Sequence, residues 1–253
     1  MKIVIPSLSR PEILKSRTLS TLEKYKIPKK SIYIFVIEEQ LDLYKNIIGN
    51  EYNIIVGVLG ISEQRAFISN YFEEGERLVS MDDDIKKILE LKMKDNKKYL
   101  EDIEDFNKLI QHAFRLIDLE KASCCGVYPT DNPYYMSFQY CNNLKFCIGQ
   151  LRFFLNNKAI EGGRQYKLLE DYETSLKYFL KDKKIIRLNN ICLEAAYNCL
   201  RGGLNSITDR SYETKKEEVY KFYEEYEMYC HIKDRETKSG MKIDIQFTRS
   251  KFF

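Results

Sequence analysis

Three consecutive carboxylates, Asp82-Asp83-Asp84, follow the apolar run 78–81 and are the residues of this chain best suited to chemistry. Acids side by side repel unless a cation or solvent compensates them, and hard divalent cations such as Mg²⁺ or Mn²⁺ take oxygen ligands and bridge to phosphates. An acid cluster at a strand end is therefore a place to hold a nucleotide diphosphate. Aspartates before a helix also serve as caps, and the run 85–91 reads as helical here. A second acidic group, Glu170-Asp171, opens a predicted helix at 172–180. A hydroxyl is a poor nucleophile until a base takes its proton, and a carboxylate at a helix start suits that task. Adjacent residues cannot both face inward, and Asp171 is preferred to Glu170.

Other residues fall where they could complete such a site. Arg10 lies where the first strand opens into a loop, and a guanidinium there can pair with a phosphate or a nucleobase carbonyl. Glu38 and Glu39 end the second predicted strand, where a carboxylate can accept from a donor group of a bound nucleoside, although solvated turn acids take the same place. Arg65 falls in the first turn of a predicted helix beside the triplet, in reach of a diphosphate or one of the aspartates. Gly202-Gly203 permits the close backbone approach and unusual φ that a loop closing over a donor requires. The aromatics Tyr128, Tyr134, Tyr135, Phe138 and Tyr140 are placed to stack on a base or to fill a core. His112 sits beside the apolar face of a helix and reads as structural, and His231 follows the last predicted helix.

The elements that must position these residues follow from hydrophobic periodicity. Strands at 3–5, 32–37, 54–59 and 78–81 alternate with helices at 12–25, 41–48 and 63–72, which implies βαβ units and a mainly parallel sheet. Ligands of such sheets lie beyond the carboxyl ends of the strands, so a site is expected after Ile5, Ile37, Leu59 and Met81. An amphipathic helix spans 103–117. Residues 123–160 read as antiparallel or edge strands around 138–140 and 146–155. A strand at 185–191, a helix at 213–230 with Val219, Phe222, Tyr223, Tyr226 and Tyr229 on one face, and a strand at 241–247 complete the chain.

The order Val4-Ile5-Pro6-Ser7…Arg10-Pro11, then Gly57…Gly60-Ile61-Ser62-Glu63-Gln64-Arg65…Asn70, then Leu78-Val79-Ser80-Met81-Asp82-Asp83-Asp84 resembles the nucleotide-binding half of GT-A glycosyltransferases. The resemblance covers about residues 2–90 and returns at Leu169-Glu170-Asp171-Tyr172-Glu173. It implies a motif of DxD type, with Asp82 and Asp84 on the metal and the sugar-nucleotide pyrophosphate. Pro6, Ser7, Arg10, Glu38, Arg65, Asp83 and Gly203 would line the nucleotide-sugar site. A late histidine sometimes completes the metal shell in such enzymes, which makes His231 a candidate ligand. Within the superfamily the opening motif, the triplet and the segment Gly202-Gly203-Leu204…Arg210 look most similar to the TET-associated glycosyltransferases of phages and other viruses. That similarity implies transfer of a sugar, glucose first, from a UDP-sugar to a hydroxymethylated pyrimidine in DNA.

Composition fits a folded body and narrows the setting. Of 253 residues, 44% are hydrophobic and 31% charged, far from the composition of disordered chains. The net charge of +3 does not announce a nucleic-acid binder, although a local basic patch can hide in that balance. No apolar run approaches a membrane span, and seven cysteines without a CxxC pair read as reduced thiols of a cytoplasmic protein. Abundant Lys, Ile, Asn and Tyr suggest an AT-rich genome, such as that of a virus or phage. The expectation is thus one GT-A-like α/β domain over 1–253, with a nucleotide-sugar half at about 1–90 and an acceptor-side half at about 91–253. Its activity would be that of a metal-dependent hexosyltransferase using Mn²⁺ or Mg²⁺. A protein or glycan acceptor and a non-catalytic binding domain are the competing readings. A nucleotidyltransferase finds no Walker-type loop in support.

Overall fold

The computed structural model describes residues 1–195, 203, 209–237 and 240–248. The chain opens with β1 (Lys2–Pro6), α1 (Pro11–Leu14), a π-helical turn (Lys15–Leu19), α2 (Ser20–Lys24), β2 (Ile32–Val36), α3 (Leu41–Ile48), β3 (Asn53–Val56), α4 (Ile61–Tyr71) and β4 (Arg77–Met81). Then follow β5 (Ile85–Lys94), β6 (Lys97–Asp102), α5 (Phe106–Glu120), β7 (Cys124–Val127), β8 (Leu151–Leu155), α6 (Lys158–Gly162) and α7 (Glu170–Asp182). The last elements are β9 (Ile186–Leu188), β10 (Ile191–Ala195), α8 (Tyr212–Tyr226), β11 (Cys230–Thr237) and β12 (Gly240–Phe247).

The central sheet has the order β3-β2-β1-β4-β8-β7-β9. β8 runs against β4 and β7, and the other strands share one direction, so the expected mainly parallel sheet is present. Ile3, Val4 and Ile5 are buried, as strands covered on both faces must be. One face packs Leu14, Leu22, Tyr44 and the apolar stripe of α5. The other packs Ile68 of α4, Leu176 and Phe179 of α7, and Val219 and Phe222 of α8. Asp105 caps α5 by accepting from Lys108 N at 3.2 Å. A three-stranded sheet, β10-β5-β6, and the ribbon β11-β12 are appended to this body. The six cysteines among the described residues are free. Among those residues, no helix is long and apolar enough to cross a membrane.

The structure corrects several elements. Residues 85–91 form a strand, not a helix. Buried Ile85, Ile88 and Leu91 recur at helical spacing, but β5 pairs along both edges and places Ile88 and Leu91 in different apolar clusters. The turn that ends it, Asp95-Asn96, has positive φ at both residues (49° and 58°), as a type I′ hairpin requires. The predicted strand 185–191 divides at Asn189-Asn190 into β9 and β10, which belong to different sheets. The last helix stops at Tyr226, leaving Tyr229 outside it. Around 138–140 there is no strand. Cys141 instead bridges to Arg187 and Asn142 O accepts from Ile185 N, so this segment runs antiparallel along the outer edge of β9.

One contact fixes the acidic turn to the helical layer. Thr18, fully buried in the π-helical turn, donates its hydroxyl to Asp82 O at 2.8 Å and accepts from Ile85 N at 3.0 Å. It spans the triplet at both ends. Thr18→Val keeps the shape but leaves both backbone groups without this partner, a loss of about 1–3 kcal/mol. Urea unfolding of Thr18→Val should show that loss, and Thr18→Ser should recover most of it; a Val variant as stable as the parent removes the clasp.

Candidate active site

The carboxyl ends of β1, β2 and β4 meet at one edge of the sheet, and the reversed β8 brings its amino end to the same edge. Ser7, just past β1, donates to Asp83 Oδ2 at 2.6 Å. Because its proton is used there, the Tyr44 hydroxyl at 2.7 Å donates to Ser7 Oγ and accepts from Arg10 N at 3.1 Å. Arg10 Nη1 lies 3.3 Å from Asp83 Oδ1 and 3.8 Å from Asp84 Oδ2. Ser9, at φ 56°, is held by Gln40, which accepts from its backbone N and donates to its hydroxyl. Gly203 closes this group. Its N donates to Leu8 O at 3.1 Å, its φ is +63°, and a Cβ there would lie 2.6 Å from Arg10 Cζ, so a side chain would displace the guanidinium.

A second group forms around Arg65, which is nearly fully buried on α4. It reaches Asp82 Oδ1 at 3.2 Å, Glu170 Oε1 at 3.3 Å and Gly149 O at 3.3 Å. Behind Glu170 stands Arg164 at 3.2 Å, which also pairs with Glu161, and Glu161 pairs with Arg152 at 3.4 Å and accepts from the Tyr178 hydroxyl at 3.1 Å. Gly149 approaches the Asp171 carboxylate so closely that a Cβ would collide with Oδ1. Asp171 therefore belongs to the same group as Asp82, with Arg65 between them.

The charges in this edge do not balance evenly. Burial pushes Asp82 up to about 7; Arg65 opposes the shift, while Asp84, Asp171 and Glu170 add to it. Its side chain keeps 30% exposure, so solvent tempers the size of that shift but not its direction. Asp83 rises to about 6, again by burial first, against the hydrogen bond from Ser7 and the charge of Arg10. Asp84 is raised by burial and then by Asp83. In the acidic pair the two neighbours part. Burial works against ionised Glu170, but Arg65, Arg164 and Arg152 hold it below the usual range. Asp171 is raised, by burial and then by Glu170.

Three carboxylates with raised pKa form a donor set short of positive charge, and Asp84 Oδ1 is buried without a hydrogen-bond partner. Both features fit a hard cation on Asp82 and Asp84. Among the described residues, no group of three or more His, Cys, Asp or Glu is arranged to hold a metal. His231 lies exposed on β11 opposite Gln246, outside the group around the triplet.

Of the other expected residues, Pro6 ends β1 and Ser7, Arg10, Arg65, Asp82, Asp83, Asp84, Glu170, Asp171 and Gly203 come together. Glu38 and Glu39 sit exposed in a short 3-10 turn, and it is Gln40 that reaches the loop at Ser9. Gly202 and Leu204 lie outside the described residues. Tyr134, Tyr135 and Phe138 are exposed on the segment beside β9, anchored by buried Met136. His112 is exposed on α5 beside Arg115. Sequence reasoning missed Tyr44, Gln40, Gly149 and Glu161, and read Arg152 and Arg164 as basic residues bordering an acceptor pocket, whereas they are buried partners of Glu161 and Glu170.

A family model described as TET-Associated Glycosyltransferase matches residues 1–199. A comparison with curated proteins finds no match. Among solved structures, the chain is similar to 4-diphosphocytidyl-2C-methyl-D-erythritol synthase from Anaerococcus prevotii, at 12% identity and TM-score 0.45 over 87% of this chain and 95% of that one. It is also similar to the bifunctional IspDF of Campylobacter jejuni, at 10% and 0.40 over 70% of this chain and 47% of that one. For mannose-6-phosphate isomerase from Helicobacter pylori the figures are 13% and 0.39 over 74% and 86%.

The raised aspartates set a pH dependence. A carboxyl that binds its proton more tightly folded than unfolded favours folding at low pH, and that contribution is lost as pH rises from the unfolded value near 4 through the folded one. Asp82 ionises near pH 4 in the unfolded chain and only near pH 7 in the fold, so its contribution is lost across that window. Asp82→Asn carries no such proton, so its stability relative to the metal-free parent should increase from pH 5 to pH 8 in urea unfolding. A difference independent of pH contradicts the raised Asp82.

Proposed function

We propose, for a chain that belongs to the TET-associated glycosyltransferase family and is therefore a glycosyltransferase, that the sugar moves from a UDP-sugar to a hydroxymethylated pyrimidine in DNA. The observation that carries this reading is the position of Arg65, which joins the acidic triplet to the Glu170-Asp171 pair. A donor diphosphate and an acceptor base would then share one guanidinium. UDP-glucose is the first donor to test.

Asp82 and Asp84 would hold Mn²⁺ or Mg²⁺, which supplies charge stabilisation to the departing diphosphate. Ser7, Arg10, Asp83 and Gly203 form the nucleotide side, where Arg10 offers a planar donor to phosphate or base. Arg65 keeps Asp82 oriented and adds fixed positive charge where negative charge develops. Asp171, raised by burial and by Glu170, is a stronger base than an ordinary aspartate. It takes the proton from the acceptor hydroxyl as that oxygen bonds to the anomeric carbon; the bond from that carbon to UDP breaks, and its electron pair leaves on the diphosphate. Glu170, committed to Arg65 and Arg164, positions rather than reacts. A hydroxymethyl group supplies the oxygen nucleophile that an ordinary pyrimidine lacks at C5. In this reading residues 1–90 bind the donor and the remainder of one domain faces the acceptor.

Two measurements test the proposal. UDP with Mn²⁺ should raise the melting temperature of the parent, since a ligand that binds the folded state stabilises it by mass action, and should fail to do so in Asp82→Ala and Asp84→Ala. Purified protein should glycosylate hydroxymethylated DNA and leave unmodified DNA untouched at low salt; transfer to a peptide or glycan instead would redirect the acceptor. For the base, Asp171→Asn should keep donor binding and slow transfer by at least about 10²-fold. Damage from Glu170→Gln with a nearly silent Asp171→Asn would exchange the two roles.

A further inference from the structure

The ribbon β11-β12 lies beyond the residues that the family model matches. Its strands pair in register from Cys230↔Phe247 to Thr237↔Gly240. Alternation along a strand sends successive side chains to opposite faces, and here it sorts charge. The inner face carries Cys230, Ile243 and Ile245, buried in the cluster with Val219 and Phe222 of α8, and Asp234, which accepts from the Tyr212 hydroxyl. The outer face presents His231, Lys233, Arg235, Lys242 and Gln246, all exposed. Its one acid, Asp244, is engaged by Lys215 of α8 at 2.8 Å.

One feature of that face asks for an anion, and the anchorage of the ribbon says where it would lie. Arg235 and Lys242 stand directly opposite one another in the register, and like charges so placed destabilise a ribbon unless a negative partner lies against them. The ribbon is also anchored beside the acceptor side of the site: Phe247 packs on Tyr172 at 5.7 Å between ring centroids, and Tyr172 follows Asp171. From Phe247 to Lys242 is five residues, about 17 Å of strand. A ligand gripped there would extend from the candidate base outward.

We infer that the outer face of the β11-β12 ribbon is a docking surface for duplex DNA, in which Lys233, Arg235 and Lys242 contact phosphates beside the nucleotide being modified. A two-stranded ribbon fits the major groove, whose width of about 12 Å admits it, and phosphate contacts supply affinity without sequence preference. The inference rests on the DNA-acceptor reading and adds a surface to it. The ribbon holds the duplex while the target base is presented to Asp171. Lost contacts would therefore reduce transfer to long duplex and spare transfer to a substrate too small to reach the ribbon.

The test compares the full chain with the triple variant Lys233→Gln, Arg235→Gln, Lys242→Gln. Neutralising an exposed like-charge pair relieves its repulsion and should leave the melting temperature no lower than the parent's, and Lys216→Gln on α8 serves as a control for general loss of charge. Fluorescence anisotropy with a labelled hydroxymethylated duplex should show affinity weakened about tenfold or more, with the slope of log K against log salt reduced in magnitude by about 0.9 per lost contact. Transfer to a hydroxymethylated mononucleoside should be unchanged. A triple variant that binds and modifies duplex like the parent overturns the ribbon inference and leaves the DNA acceptor standing. A parent that binds no duplex and glycosylates a peptide or glycan overturns both. Parent binding to polyglutamate but not to DNA would overturn the inference in favour of an acidic protein partner.

Discussion

Three aspartates at the end of one strand cannot share an edge of a protein without positive charge close by. The compensation comes from two arginines on separate elements. Arg10, in the loop after β1, takes Asp83 and Asp84; Arg65, on α4, takes Asp82. Each arginine is placed by the first βαβ units, so the helical layers, the loop at Ser9 and the triplet form one construction. Breaking a buried pair by removing a single partner costs about 3–5 kcal/mol, because the other charge stays buried and unpaired. The compensation is incomplete: burial and mutual repulsion still raise the pKa of each of the three aspartates.

Arg65 also ties together segments that are far apart in the chain. Its three partners come from the strand end at Asp82, the loop at Gly149 and the start of α7 at Glu170. Arg164, Glu161 and Arg152 extend the same network inward, and the side chains of these three ions are almost wholly buried. Such networks add little to stability over an apolar packing of equal volume, but they admit few alternative geometries. The arrangement separates two adjacent acids: Glu170 is fixed and kept ionised, and Asp171 is left with a raised pKa against Gly149.

Much of this was legible in the sequence wherever chemistry and position coincided. Strand-helix alternation from Ile3 to Met81 located the parallel half of the sheet and hence the edge that carries Ser7, Arg10 and the triplet. Arg65 was visible because it falls near the start of a predicted helix beside the triplet. The segment 85–91 misled because buried residues three apart suit a helix as well as a strand paired on both sides, and the turn signal Asp95-Asn96 went unused. Tyr44, Gln40 and Gly149 were invisible for another reason. Each acts through a contact made only when distant segments meet, as when Gln40 clasps Ser9 or Gly149 makes room for Asp171. Glu38 and Glu39 lie two and one residues before Gln40, whose amide both accepts from and donates to Ser9, as an ionised carboxylate cannot.

The segment beside β9 has a consequence for how the molecule behaves at high concentration. A terminal strand of a sheet offers a row of unpaired amides and carbonyls, a template on which another chain can add. Here Cys141 exchanges backbone bonds with Arg187, and Asn142 accepts from Ile185, so the row is occupied from within. The opposite margin, β3, is a strand of four residues, too short to recruit a partner well. Neither margin of this sheet offers an easy seed for strand addition and the precipitation that follows from it.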